Sequence, residues 1–87
     1  MRKELTALYY ISDFDEDGNE TIIKEDIPAK IELEATNIEI IEECIDSKGN
    51  VVKNKCNITT SWGRQITLAH AFKEIQMFKR GFDFNQQ

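Results

Sequence analysis

Thr67-Leu68-Ala69-His70-Ala71-Phe72-Lys73-Glu74-Ile75-Gln76-Met77-Phe78-Lys79-Arg80 is the one stretch of this chain whose apolar spacing speaks for a single kind of secondary structure. At about 100° per residue, Leu68, Ala71, Phe72, Ile75 and Phe78 gather within an arc of roughly 120°, with His70, Lys73, Met77 and Arg80 opposite. The spacing predicts an amphipathic helix over residues 67–80 with His70 on its outer face. A helix with three large apolar side chains on one stripe needs an apolar surface to lie on, and the preceding residues must supply it.

Working back, residues 51–60 place Val52, Cys56 and Ile58 on one face of a strand. Ser61-Trp62-Gly63 then turns the chain into the helix, with Trp62 expected in the core. Asp46-Ser47-Lys48-Gly49-Asn50 reads as a hairpin turn with Gly49 in the left-handed position. The β-branched run from 38 to 45 is its other strand, although Ile38, Ile41 and Ile45 also fit a helical stripe ending at Gly49. Residues 30–35 alternate cleanly, with Ile31, Leu33 and Ala35 inward and Lys30, Glu32 and Glu34 outward. Ile38 and Ile40 then fall out of phase with them, which requires a bulge or sharp bend at Thr36-Asn37.

Pro28, with no N–H to give a ladder, marks a break or a sheet edge. Residues 21–27 and 4–12 pair as a first hairpin around the acidic turn at 13–19, with Leu5, Ala7, Tyr9 and Ile11 sharing a face. Gly81 ends the helix, and Phe82-Asp83-Phe84 folds back. The expected fold is α+β, a four-stranded antiparallel sheet with one C-terminal amphipathic helix on one face, in the order β-β-β-β-α.

The 87 residues are expected to form one domain, 1–87, with modest stability. Met1-Arg2-Lys3-Glu4-Leu5 lacks the apolar core of a signal peptide, and no run of some 18 apolar residues exists, so a cytoplasmic location without membrane contact is expected. Cys44, Cys56 and the single His70 are too few for a zinc site, and reduced thiols are expected. The net charge of −5 hides an asymmetry: residues 1–46 hold 14 acids against 4 bases, net −10, while residues 47–87 hold 2 against 7, net +5. Sorting of this kind bears on partners rather than on fold.

Asp13-x-Asp15-x-Asp17-Gly18 resembles the opening of calcium-binding loops in EF-hands and in some calcium-binding propeller blades. The resemblance implies Asp13, Asp15 and Asp17 as metal ligands, with calcium as the candidate cofactor. It covers six residues. Glu20 stands where an EF-hand has an apolar residue, Lys24 stands where its bidentate Glu belongs, and Thr21 replaces the acidic ninth position of the propeller loop.

No pair of carboxylates is set in a cleft by the sequence, no nucleophile is placed beside His70, and the four glycines are too scattered for a phosphate loop, so the expectation is a non-enzyme. Lys48, Lys53, Lys55, Arg64, Lys73, Lys79 and Arg80 give the second half a basic cast, but a pI near 4.8 argues against direct binding of nucleic acid. The acidic field carries the functional expectation: a small interaction protein using Glu32, Glu34, Glu39, Glu42, Glu43, Asp15 and Glu16 to dock on a basic site of another macromolecule. By analogy with compact acidic proteins of mobile elements and phages, that partner is a nucleic-acid-binding enzyme held by an inhibitor or decoy. Two rivals stand beside it, a calcium-stabilised module and a homo-oligomer in which the −10 and +5 halves of neighbouring copies meet.

Overall fold

The computed structural model describes residues 2–81. β1 (Arg2–Phe14) and β2 (Glu20–Glu34) form a long hairpin, a 3-10 turn at Ala35–Asn37 leads to β3 (Ile38–Ile45) and β4 (Val51–Thr60), and β5 (Gln65–Leu68) precedes α1 (Phe72–Lys79). The fold is α+β: one antiparallel sheet in the order β2-β1-β5-β4-β3, with the helix C-terminal to it.

The sheet has five strands, not four, because the first residues of the expected helix are a strand. Ile66 and Leu68 satisfy a period of two as well as Leu68 satisfies a helical arc. The decision falls to β1 and β4, whose facing edges are both bridged by this segment: Leu68 pairs with Ala7 on one side and Cys56 on the other. Sheet hydrogen bonds on two flanks outweigh one extra helical turn. Ala69 N–H still reaches Thr6 C=O at 2.8 Å, Ala71 is extended, and helix begins only at Phe72. Ile75 and Phe78 are fully buried and Phe72 partly so, while Lys73 and Met77 face water, as the predicted stripe requires. Gly81, at φ 95°, follows the helix end.

Of the two readings of Pro28, the sheet edge holds: β2 runs on through it opposite Leu8 as an edge strand, where a missing donor costs no ladder bond. Two other expectations change. Trp62 is 58 % exposed on the β4–β5 turn rather than in the core. The Ser61-Trp62-Gly63 turn, with Gly63 at φ 84°, leads into β5 and not into the helix. Residues 38–45 are strand, and the phase slip before them is the 3-10 turn. The proposed fold-back of 82–84 lies outside the described residues.

The register assigns faces. Leu5, Ala7, Leu33, Ile38, Cys56, Ile58, Ile66 and Leu68 share the core side with α1, which packs over β3, β4 and the 3-10 turn. Thr6, Leu8, Tyr10, Asn57, Thr59, Gln65 and Thr67 alternate with them on the other side. β2 and β3 are opposite edges of the sheet yet are joined by three residues, a span of at most about 14 Å. The sheet is therefore strongly rolled, and these two strand ends meet over the core. Among the described residues no helix is long and apolar enough to cross a membrane.

Candidate functional site

The two hairpin tips led by aspartate are made by the same local device. In Asp15-Glu16-Asp17-Gly18-Asn19 the Asp15 carboxylate accepts the N–H groups of Asp17 and Asn19 at 2.9 Å, Gly18 N–H reaches Asp15 C=O, and Asp15 N–H reaches Asn19 C=O. In Asp46-Ser47-Lys48-Gly49-Asn50 the Asp46 carboxylate accepts from Lys48 and Asn50 at 2.9 Å, with the same two backbone bonds. Gly18 and Gly49 have φ 81° and 84°. The two tips share a short pattern, Asp-x-x-Gly-Asn, whose recurrence is the sequence signal for this geometry. The second copy carries Ser47 and Lys48 where the first carries Glu16 and Asp17, so Asp17 of the calcium-like motif is not needed for the geometry of the turn.

Asp15 Oδ1 is committed to backbone amides, and Asp13 Oδ1 accepts from Phe14 N–H at 2.9 Å. Among the described residues no three Asp, Glu, His or Cys side chains converge as a metal site, so Asp13, Asp15 and Asp17 are not brought together.

The acids expected to form one docking face are divided by the sheet order. Glu32 and Glu34 lie on β2, Asp15 and Glu16 at the tip of its hairpin, and Glu39, Glu42 and Glu43 on β3, the opposite edge. Their electrostatic settings differ. Arg2 reaches Glu32 at 3.1 Å and Glu34 at 3.9 Å, and Lys30 lies 3.4 Å from Glu4, so cations line the β2 side. On β3, Glu39, Glu42 and Glu43 are exposed, and among the described residues no cation lies within ion-pair distance of their carboxylates. Lys79 Nζ does reach Glu39, but at its backbone carbonyl, 2.7 Å away.

Two positions carry roles that the sequence did not announce. His70 is not on an outer helix face: it sits between β5 and α1, where Nε2 accepts the Thr6 N–H at 3.0 Å and Nδ1 lies 3.6 Å from Glu74 Oε2. The imidazole continues the β1 ladder after β5 has ended, with its proton on Nδ1. The second is Asp26, the only non-glycine residue with positive φ (55°) among the described residues. It stands in the irregular stretch of β2 between Lys24 and Ile27. From there both of its carboxylate oxygens accept from Lys55 Nζ at 2.8 Å, joining β2 to β4 across β1 and β5.

Beside this bridge a groove of about 620 Å³ runs between the two hairpins, with Tyr10, Ile22, Ile45 and Val52 among its walls. Tyr10, Ile22 and Ile45 are 59 %, 48 % and 65 % exposed. Cys44 also borders it; burial raises its thiol pKa, with smaller opposing contributions from Lys55, which lowers it, and Asp26, which raises it. Cys56, on the core side, is pushed up to about 12 by burial first and by its neighbours Cys44 and Glu74 after that. Both cysteines are free thiols, and neither is poised as a nucleophile. No family model, curated protein or solved structure matches this chain.

Proposed function

We propose that this chain is a non-enzymatic interaction protein that docks a basic surface of another protein against its β3 edge, as an inhibitor or decoy of a nucleic-acid-binding enzyme would. The observation that carries the reading is the uneven use of cations. Arg2, Lys30 and Lys55 are drawn to Glu32, Glu34, Glu4 and Asp26, whereas Glu39, Glu42 and Glu43 stand exposed without such partners among the described residues. A row of unpaired carboxylates along a sheet edge steers a cationic partner and discourages another strand from adding to that edge.

The test is capture from the native host, identification of the bound protein, and titration of the purified pair. The expected result is a partner with a Lys- and Arg-rich face, affinity that falls as salt rises from 50 to 500 mM, and an association rate at least tenfold slower for the triple variant Glu39→Lys, Glu42→Lys, Glu43→Lys. An identified partner that binds the triple variant with unchanged kinetics in low salt would refute the reading. Homo-oligomerisation is the second reading, favoured by the exposed Lys73, Lys79 and Arg80 on and beside α1, which complement the acidic edge of a neighbouring copy. Light scattering at low and high salt separates the two, because a strict monomer excludes self-assembly.

A further inference from the structure

The groove between the two hairpins is unlike the rest of the exterior. Its walls hold large apolar side chains left in water, Tyr10, Ile22 and Ile45, against which Val52 also stands. Its rim carries Glu25, Asp26 and Asp46. The cation among its lining residues is Lys55, and both Asp26 carboxylate oxygens already hold it. Its volume, about 620 Å³, is within the range of concave small-molecule sites, about 300–1,000 Å³. Asp26 stands at the rim in a left-handed backbone conformation, φ 55°, which outside glycine is strained and persists where the surroundings hold it. An apolar trough rimmed by carboxylates is complementary to one kind of occupant, an aromatic or aliphatic side chain flanked by cations.

We propose that this groove receives an apolar segment of the partner protein flanked by arginines, one of which replaces Lys55 on Asp26. The inference rests on the basic-partner reading and deepens it by naming the element recognised. A planar guanidinium matches both oxygens of the Asp26 carboxylate better than an ammonium does, and it can stack on Tyr10 while an aromatic neighbour covers Ile22 and Ile45. The groove borders the end of β3, so the carboxylates of Glu42 and Glu43 lie along the same strand as its Cys44–Asp46 wall.

The test uses a capped pentapeptide of leucine, arginine, tryptophan, arginine and leucine, titrated into the labelled chain and followed by amide chemical shifts. Saturable shifts are expected at Tyr10, Ile22, Ile45, Val52 and Lys55. Affinity should fall at least tenfold in Ile45→Asp and in Asp26→Asn; the first site is well exposed and asparagine tolerates the left-handed conformation, so both variants keep the fold. Shifts centred on Glu39, Glu42 and Glu43 and indifferent to both variants would overturn the groove while leaving the basic-partner reading in place. Equal binding in the groove by a peptide with glutamines for its arginines would overturn the cationic occupant and count against the basic-partner reading itself. Absence of saturable shifts at 5 mM peptide would also overturn the proposal.

Discussion

His70→Ala tests whether a side chain can stand in for a missing strand. Thr6 C=O is met by Ala69 N–H at 2.8 Å, but β5 ends there, and Thr6 N–H finds its acceptor in His70 Nε2 at 3.0 Å in a partly buried setting. Truncation leaves that donor without its partner, at a cost of about 1–2 kcal/mol. It also removes the packing of a ring that is only 18 % exposed, about 1 kcal/mol more. The expected loss is roughly 2–3 kcal/mol, which for a domain of this size lowers the thermal midpoint by about 8–20 °C. Urea unfolding should be followed by far-ultraviolet circular dichroism, since Trp62 is too exposed to report the core. Hydrogen exchange supplies the specific readout: the Thr6 amide, protected in the parent, should exchange much faster in the variant. Glu74→Gln is the control; the carboxylate lies 3.6 Å from Nδ1 with 43 % of its side chain exposed, and its neutralisation should cost no more than about 0.5 kcal/mol. A loss below about 0.5 kcal/mol in His70→Ala with the Thr6 amide still protected would refute the capping argument.

Phe78→Ala removes a fully buried ring and should cost about 3–5 kcal/mol, much of the stability of an 87-residue domain, while Met77→Ala on the exposed flank should cost under about 0.5; urea midpoints compare them. Cys56 titrates in the unfolded chain near the ordinary thiol value of 9.0 and in the fold near 12, so between those values the unfolded state holds fewer protons and stability falls as pH rises. Cys56→Ala should flatten that alkaline loss, and iodoacetamide at pH 8 should label Cys56 only on unfolding. Asp15→Ala and Asp46→Ala should each lose about 1 kcal/mol, because each carboxylate serves two amides. Millimolar calcium should leave the parent's midpoint where a chelator leaves it; a calcium-dependent rise that vanishes in Asp15→Ala would revive the calcium-loop reading.

Those features of the chain that depend on near neighbours were legible. The slip in phase between Ala35 and Ile38 is a real 3-10 turn, Gly49 does turn the second hairpin, and Ile75 and Phe78 do close the core. What depended on distant chain was not. Gln65–Leu68 is compatible with helix or strand in isolation, and it becomes strand because β1 and β4 leave a strand-wide gap that only this segment can fill. His70 moves off the helix for the same reason, since the short segment following β5 inherits the unsatisfied edge of β1. Trp62 is large and apolar enough to suit a core, yet a tight β4–β5 turn leaves it outside the rolled sheet.

The candidate site shows how strand order converts a charge pattern into a surface. Fourteen acids in residues 1–46 imply one acidic face only if the first three strands are neighbours, but β3 lies four places from β2. The N-terminal cations travel with β1 and β2, where Arg2 and Lys30 temper Glu32, Glu34 and Glu4. The one neighbour of β3 is β4, whose Lys55 is held by Asp26 and whose Lys53 lines a pocket with Glu43 without forming an ion pair with it. Among the described residues, exposed carboxylates without an ion-pair partner therefore include those at the first hairpin tip, on Glu16, Asp17 and Glu20, and those along the β3 edge, on Glu39, Glu42 and Glu43. This makes a sharp comparison between edges. Charge reversal at Glu32 and Glu34 should slow a basic partner less than reversal at Glu42 and Glu43, although both pairs are glutamates on edge strands. If the two double variants slow association equally at low salt, net charge alone governs docking, and the arrangement of strands adds nothing to it.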